Sequence, residues 1–155
     1  MMDPRYRDIT ADEVPVVTLA NDTVIKVICG RIGDVHGPVQ AVVIDPELYD
    51  VTLPPAATFT HATKKTHTVF SYVHAGSVRF DEESDEMHGN NTLVLYDKGE
   101  QVSITAGDEG VSLLLILGKP LKEPVAWGGP IVMNTQKELT LAFEEYKNGT
   151  FIKNA

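Results

Sequence analysis

The chain has 155 residues, 43% of them hydrophobic and 23% charged, which is the composition of an ordinary globular protein. Its 22 acidic and 13 basic residues give a net charge of −9. A surface of that sign repels phosphate backbones, so we expect no direct nucleic-acid partner. The single cysteine, Cys29, excludes an intrachain disulfide and a cysteine-rich zinc site, and it favours a reducing, cytoplasmic compartment.

The amino-terminal residues 1–8 contain no apolar segment of the kind found in a signal peptide. The longest purely apolar run, residues 113–117, is far shorter than the roughly 20 residues that a membrane span needs. We therefore expect a soluble cytoplasmic protein with no membrane partner.

Most of the chain is predicted to form short β-strands, because segments rich in Val, Ile, Thr and aromatic residues alternate with Gly, Pro, Asn and Asp turns. The predicted strands are 23–29, 40–44, 49–53, 66–74, 77–80, 91–95, 101–105 and 112–117. Turn signals fall at residues 54–55, 89–90, 97–99 and 106–108. Strands at this spacing indicate an all-β sandwich or barrel.

One helix is predicted near the carboxyl end, over residues 134–149. Thr135 and Glu138 have the spacing of a capping box, and Gly149 is a plausible stop. An apolar stripe follows the helical period and consists of Leu139, Ala142, Phe143 and Tyr146. The stripe must bury against the chain's own barrel or against another domain or subunit.

Three stretches resemble pirins. One combines residues 6–9, 24–30 and 37–39. Residues 67–78 read HTVFSYVHAGSV, similar to the pirin run H-x-x-F-x-Y-V-x-x-G-x-V. Residues 114–121, 123–125 and 129–135, with the closing helix, resemble G-x-P-L-x-E-P-V … G-P-F-V-M-N-T, the most specific of the three. The likeness covers nearly the whole chain.

The chain thus resembles the carboxy-terminal cupin half of a pirin. This resemblance implies an all-β, cupin-type double-stranded β-helix, or jelly-roll barrel, with one C-terminal α-helix. It implies a single domain over residues 1–155, in which 1–22 are a lead-in segment and 134–149 the helix. It also implies that the family's metal-binding barrel, which supplies three histidines and a glutamate, has no counterpart here.

The metal-ligand positions of a cupin barrel are a His-x-His pair, a Glu four residues on and a later His. They fall on Thr63, Lys65, Val69 and Val102, none of which suits a transition metal. We therefore expect no metal, no cofactor and no catalytic residue, with Fe or another divalent metal present only if a partner chain supplies the ligands. A site built from His61, His67 and His88 is a weaker alternative.

Strand parity predicts which side chains point into the barrel. Glu100 is among the inward set, and the residues predicted to line a pocket are His67, Val69, Ser71, Val102 and Ile104. His67 is either a core histidine satisfied by a carbonyl or Ser71, or a polar anchor for a ligand. Phe70, Tyr72 and His74 are expected to face outward.

Three functions remain open. The favoured hypothesis is a non-catalytic module that binds a partner protein, such as a pirin first domain, or itself as a homodimer. The second is one half of a metal-dependent, quercetin-type dioxygenase whose metal-binding barrel is on a separate chain. The third is a metal-free module that binds a small molecule inside the barrel.

Overall fold

A computed structural model describes residues 6–40, 42–81 and 83–153. The chain divides into two compact units, Met1–Pro120 and Leu121–Ala155. The expectation of a single domain over residues 1–155 stays a prediction. Within the described ranges, no helix is long and apolar enough to cross a bilayer.

The first unit is almost entirely β-structure, preceded by a 3-10 turn at Ala11–Glu13. Its strands are β1 (Val16–Thr18), β2 (Val24–Cys29), β3 (Arg31–Ile32), β4 (Val35–His36), β5 (Glu47–Leu53), β6 (Thr58–Ala62), β7 (Thr68–Arg79), β8 (His88–Gly89), β9 (Thr92–Leu95) and β10 (Gln101–Gly118). The main sheet has the order β1-β2-β5-β10-β7-β8, with β6 paired to β10 and β9 paired to β7. Strands β3 and β4 form a separate hairpin.

One apolar core fills the first unit. Alternate residues of each strand point inward, as Tyr49, Val51 and Leu53 do in β5, because successive side chains of a strand lie on opposite faces. The core is dominated by branched aliphatic residues from the facing strands, including Ile25, Val27, Val73, Val78, Ile104, Leu113, Leu115 and Leu117.

Strands β7 and β10 pair along most of their length and both bend at one place. Their register shifts between Ala106 and Val111, and two glycines meet there, Gly76 at φ +76° and Gly110 at φ +80°. The buried positions of β10 accordingly change from even to odd numbers across this point. The bend keeps apolar side chains inward on both arms of each strand.

The bend in β10 also folds the first unit into two facing layers. One arm of β10 pairs with β6, where Val102 lies opposite His61, and the other pairs with β5, where Leu117 lies opposite Glu47. Residues 102 and 117 of a straight strand would lie about 50 Å apart. Because Glu47 and His61 nevertheless touch, β10 must fold back and bring β5 and β6 together at the open end.

The second unit is a hairpin with a helix against it. It contains β11 (Ala126–Gly128), β12 (Ile131–Met133) and α1 (Gln136–Lys147). Both halves of the predicted capping box between Thr135 and Glu138 are formed, which confirms that prediction. Leu139 and Ala142 are buried, whereas Phe143 and Tyr146 of the predicted stripe are exposed.

The strand predictions were partly wrong. Residues 40 and 42–44 form no strand, and position 41 lies outside the described residues. Segments 66–74 and 77–80 belong to one strand, which begins at Thr68, and segments 101–105 and 112–117 belong to another. The turn predicted at 106–108 is a bend in that second strand. Strand β6 was missed, and it carries His61.

The glycine contact at the bend can be tested by substitution. A Cβ on Gly76 would lie 2.2 Å from the carbonyl oxygen of Gly110, and φ is positive there. We expect Gly76→Ala to lower the free energy of unfolding by about 2–4 kcal/mol in urea titrations. Gly89→Ala is the matched control, because nothing lies within 4 Å of its Cβ position. Equal effects of the two substitutions would contradict the proposed role of the bend.

Candidate ligand-binding site

A cavity of about 640 Å³ opens at the end of the first unit where β5 and β6 meet. That volume lies within the range of about 300–1,000 Å³ typical of small-molecule sites. Its walls come from the β3–β4 hairpin, the following loop and the facing ends of β5 and β6. The charged residues and histidines of its lining are Arg31, His36, Asp45, Glu47, His61 and Lys64.

Glu47 is the centre of a hydrogen-bond network in this cavity. Its Oε2 lies 2.7 Å from His61 Nε2 and accepts a hydrogen bond of 2.8 Å from the Tyr49 hydroxyl. The same hydroxyl lies 2.9 Å from the Arg31 carbonyl oxygen and accepts the Arg31 N–H at 3.2 Å. Glu47 and Tyr49 share one face of β5, since they are two residues apart. The network therefore connects β5, β6 and the β3–β4 hairpin.

The surroundings of Glu47 favour its ionised form. Burial alone would raise the pKa of Glu47, but hydrogen bonds from His61 and Tyr49 outweigh burial and lower that pKa below its usual value. Burial, reinforced by the Glu47 carboxylate, raises the pKa of Tyr49, so the phenol keeps its proton. With Glu47 as the acceptor, His61 donates from Nε2, and a neutral His61 has its lone pair on Nδ1.

Neighbouring rings hold His61 in place. The Tyr49 ring meets it edge-on at a centroid distance of 5.1 Å, and the Phe59 ring is stacked at 6.1 Å. Only 13% of the His61 side chain is exposed. A side chain fixed by two rings and a carboxylate loses little conformational freedom when a ligand binds.

A second carboxylate in the cavity also has partners. Asp45 pairs with Lys64, whose hydrogen bond lowers the pKa of Asp45, and His67 Nε2 lies 3.8 Å from Asp45 Oδ2. Cys29 is buried beside them, and its thiol donates to the Pro46 carbonyl oxygen at 3.1 Å. Burial raises the pKa of the Cys29 thiol, in agreement with its interpretation as a small buried side chain.

The five residues predicted to line a pocket are all buried, as strand parity predicted: His67, Val69, Ser71, Val102 and Ile104. None of the five lines the cavity described here, so their role in a ligand pocket stays a prediction. Ser71 hydrogen-bonds to Tyr96 at 2.9 Å, not to His67. His67 Nδ1 is buried without a hydrogen-bond partner among the described residues. Glu100, predicted to face inward, is instead exposed.

The cupin metal positions do not fit a transition metal. Thr63 donates its hydroxyl to the Gly99 carbonyl oxygen at 3.0 Å, and Val69 and Val102 belong to the apolar core. Lys65, predicted to occupy the barrel interior, is exposed and lies 3.2 Å from Glu100. Within ranges 6–40, 42–81 and 83–153, no three His, Cys, Asp or Glu side chains lie close enough to hold a metal ion.

The central pair of this site was missed from sequence. Glu47 and His61 are fourteen positions apart and meet only because β10 folds back. The alternating segment Thr58–Ala62 was a usable strand signal for His61. No local pattern marks Glu47 as its partner.

Comparison with known proteins agrees with the fold of the chain. The Pirin C-terminal cupin domain matches residues 48–152. Human pirin is 32% identical over 96% of this chain and 51% of its own length, and the pirin-like protein of Caulobacter vibrioides is 30% identical over 97% and 54%. The crystal structure of quercetin 2,3-dioxygenase from Acinetobacter baumannii has a TM-score of 0.83 at 26% identity, covering 95% of this chain and 50% of that one.

The folded-over β-barrel is that of a cupin, with one added helix, as predicted. The chain belongs to the pirin family and matches its C-terminal cupin domain. It spans about half the length of the relatives named above.

The Glu47–His61 contact predicts a pH dependence of stability. The folded state lowers the pKa of Glu47, so ionised Glu47 stabilises the fold above pH 4.5, its ordinary pKa. This stabilisation is lost as the pH falls through the lower pKa that Glu47 has in the folded state. We expect Glu47→Gln to cost about 1–3 kcal/mol of unfolding free energy at pH 7. The difference from wild type should shrink between pH 5 and pH 3, measured by urea unfolding at each pH.

The control for this experiment is Glu109→Gln, since Glu109 is exposed. It should change the stability at pH 7 by less than about 0.5 kcal/mol. A pH-independent cost of Glu47→Gln would show that the carboxylate charge is not what stabilises the contact.

Proposed function

We propose that this chain is a metal-free small-molecule-binding module whose ligand occupies the cavity beside Glu47 and His61. The observation that supports this proposal is a cavity of about 640 Å³ with polar groups already fixed in its wall. Preformed concave sites with a few ordered polar groups are typical of small-molecule binding. The proposed ligand lies at the open end of the barrel, away from the apolar core.

A quercetin-type dioxygenase reaction would need a redox metal and donor groups to hold it. The proposed binding site contains an oriented imidazole and an ionised carboxylate, but Val69 and Val102 stand where a cupin metal site needs donor atoms.

A second candidate is one half of a quercetin-type dioxygenase, with the metal-binding barrel on another chain. The name of the Acinetobacter baumannii relative favours it, as does the fact that this chain spans about half of that protein. A homodimer and a pirin first-domain partner are further proposals. Exposed Leu93 and Leu95 on β9, beside outward-facing Phe70 and Tyr72, offer an apolar surface for either.

Ligand binding at the cavity can be mapped by nuclear magnetic resonance. We expect a library of small soluble fragments to shift backbone amide signals of β3–β4 and the facing ends of β5 and β6. Ala62 lines the cavity, so Ala62→Trp should fill it and abolish these shifts. Ala75→Trp, at an exposed position that does not line the cavity, should leave them unchanged. A library without any hit at these residues would contradict the proposed function.

Metal content tests the metal-free part of the proposal. We expect the chain, purified without chelators from iron- and nickel-supplemented cells, to contain less than about 0.1 equivalent of Fe, Ni, Mn or Zn by elemental analysis, because its barrel lacks donor groups. About one metal ion per chain would overturn the metal-free proposal. Loss of that metal in His67→Ala would then identify His67 as a ligand.

A further inference from the structure

The charged side chains around the cavity differ in whether they already have a partner of opposite charge. Glu47 is occupied by His61 and Tyr49, and Asp45 is occupied by Lys64. Arg31 also lines the cavity, and its guanidinium forms no ion pair with any side chain in the described ranges. The chain as a whole carries a net charge of −9. An uncommitted guanidinium beside a concave site is thus an attractive point for an anion in an otherwise acidic protein.

The backbone of Arg31 is fixed relative to the cavity wall. Its N–H donates to the Tyr49 hydroxyl oxygen at 3.2 Å, its carbonyl oxygen lies 2.9 Å from that oxygen, and the hydroxyl donates its proton to Glu47. Gly30 permits this approach: a Cβ there would lie 2.7 Å from the Tyr49 hydroxyl oxygen, and φ is +88°. The hairpin that carries the guanidinium is therefore held at the edge of the cavity before any ligand arrives.

A second nitrogen group stands next to Arg31. His36 lies directly opposite Arg31 in the β3–β4 register and also lines the cavity. Side chains that face each other across an antiparallel pair have Cβ atoms about 4.5–5.5 Å apart. One small anion can therefore contact both, with the planar guanidinium able to hold a carboxylate through two parallel hydrogen bonds.

The rest of the lining selects among anions. Val39, Val42, Pro46 and Ala62 contribute apolar surface, which suits the body of an organic molecule. The ionised carboxylates of Asp45 and Glu47 are close by, and they would repel a phosphate dianion more strongly than a single carboxylate charge. Among the described lining residues, Arg31 is the one permanently charged cation without an ion-pair partner. A monoanion with an apolar body therefore matches the site best.

We propose that the cavity binds a small carboxylic acid, whose carboxylate is held by Arg31 and His36 and whose apolar body lies toward Pro46 and Ala62. This inference rests on the proposed function and adds the chemical class of the ligand. Arg31 acts here as the specificity-determining residue.

The test compares benzoate, benzamide and inorganic phosphate as probes, titrated into the full chain and followed by amide chemical shifts. Benzoate should bind with shifts at the β3–β4 hairpin, and benzamide, its neutral analogue, about tenfold more weakly. Phosphate should bind more weakly than benzoate. A tenfold difference corresponds to about 1.4 kcal/mol, a realistic contribution from one charge-assisted contact.

Arg31→Gln is the decisive variant, because it removes the charge and leaves the backbone hydrogen bonds to Tyr49 in place. It should weaken benzoate binding about tenfold and abolish the preference over benzamide. Arg79→Gln is the matched control, since Arg79 lines a different cavity and lies 3.8 Å from Asp85. It should leave benzoate binding unchanged.

The outcomes are distinguishable. Benzamide binding at the cavity as tightly as benzoate, or benzoate binding unaffected by Arg31→Gln, would overturn the carboxylate proposal and leave the small-molecule function intact. Phosphate binding more tightly than benzoate would also overturn it. No probe and no library fragment binding at the cavity would overturn both proposals.

Discussion

The bend in β10 is the constraint on which the barrel and its open end depend. One strand pairs with β6 on its first arm and with β5 on its second, and two glycines at the bend allow the backbones of β7 and β10 to meet. Without that fold-back, β5 and β6 would continue along β10 in one direction. With it, the two strands face each other across the core, and their outer ends form the walls of a cavity. The same backbone feature therefore closes the core and creates the candidate site.

Glu47 has a structural and a chemical role at once. A carboxylate that is largely buried costs free energy unless it is paired, and here His61 and Tyr49 satisfy it. The pair joins the two layers at the end opposite the bend, so part of its effect is on stability. It also leaves an imidazole of fixed tautomer in the cavity wall. Binding and stability are separable because Arg31 contributes charge to the cavity while its side chain takes no part in the Glu47 contact.

The helix cap was predicted correctly from sequence, whereas the turn near residue 107 and the contacts that need the folded-back strand were not. The capping box of Thr135 and Glu138 was predicted because both partners lie within one helical turn. Glycine and aspartate near residue 107 indicated a turn, yet the strand continues through them as a bend. Lys65 was placed in the interior by counting along a motif, but the chain turns there and the side chain reaches Glu100 outside. The Glu47–His61 pair depends on the bend in β10, so the spacing of the two residues in the sequence could not reveal it.

The interior of this barrel shows why binding is proposed at the open end. In place of donor groups, Val69 and Val102 extend the apolar core, and the buried hydroxyls of Ser71 and Tyr96 hydrogen-bond to each other. An interior lined mainly by apolar side chains gives a polar ligand little to replace the water it would lose. At the cavity edge, the two carboxylates already have partners and one guanidinium does not. An anion arriving there gains a charge-assisted contact without displacing an existing one, which is the condition under which a surface charge contributes to affinity.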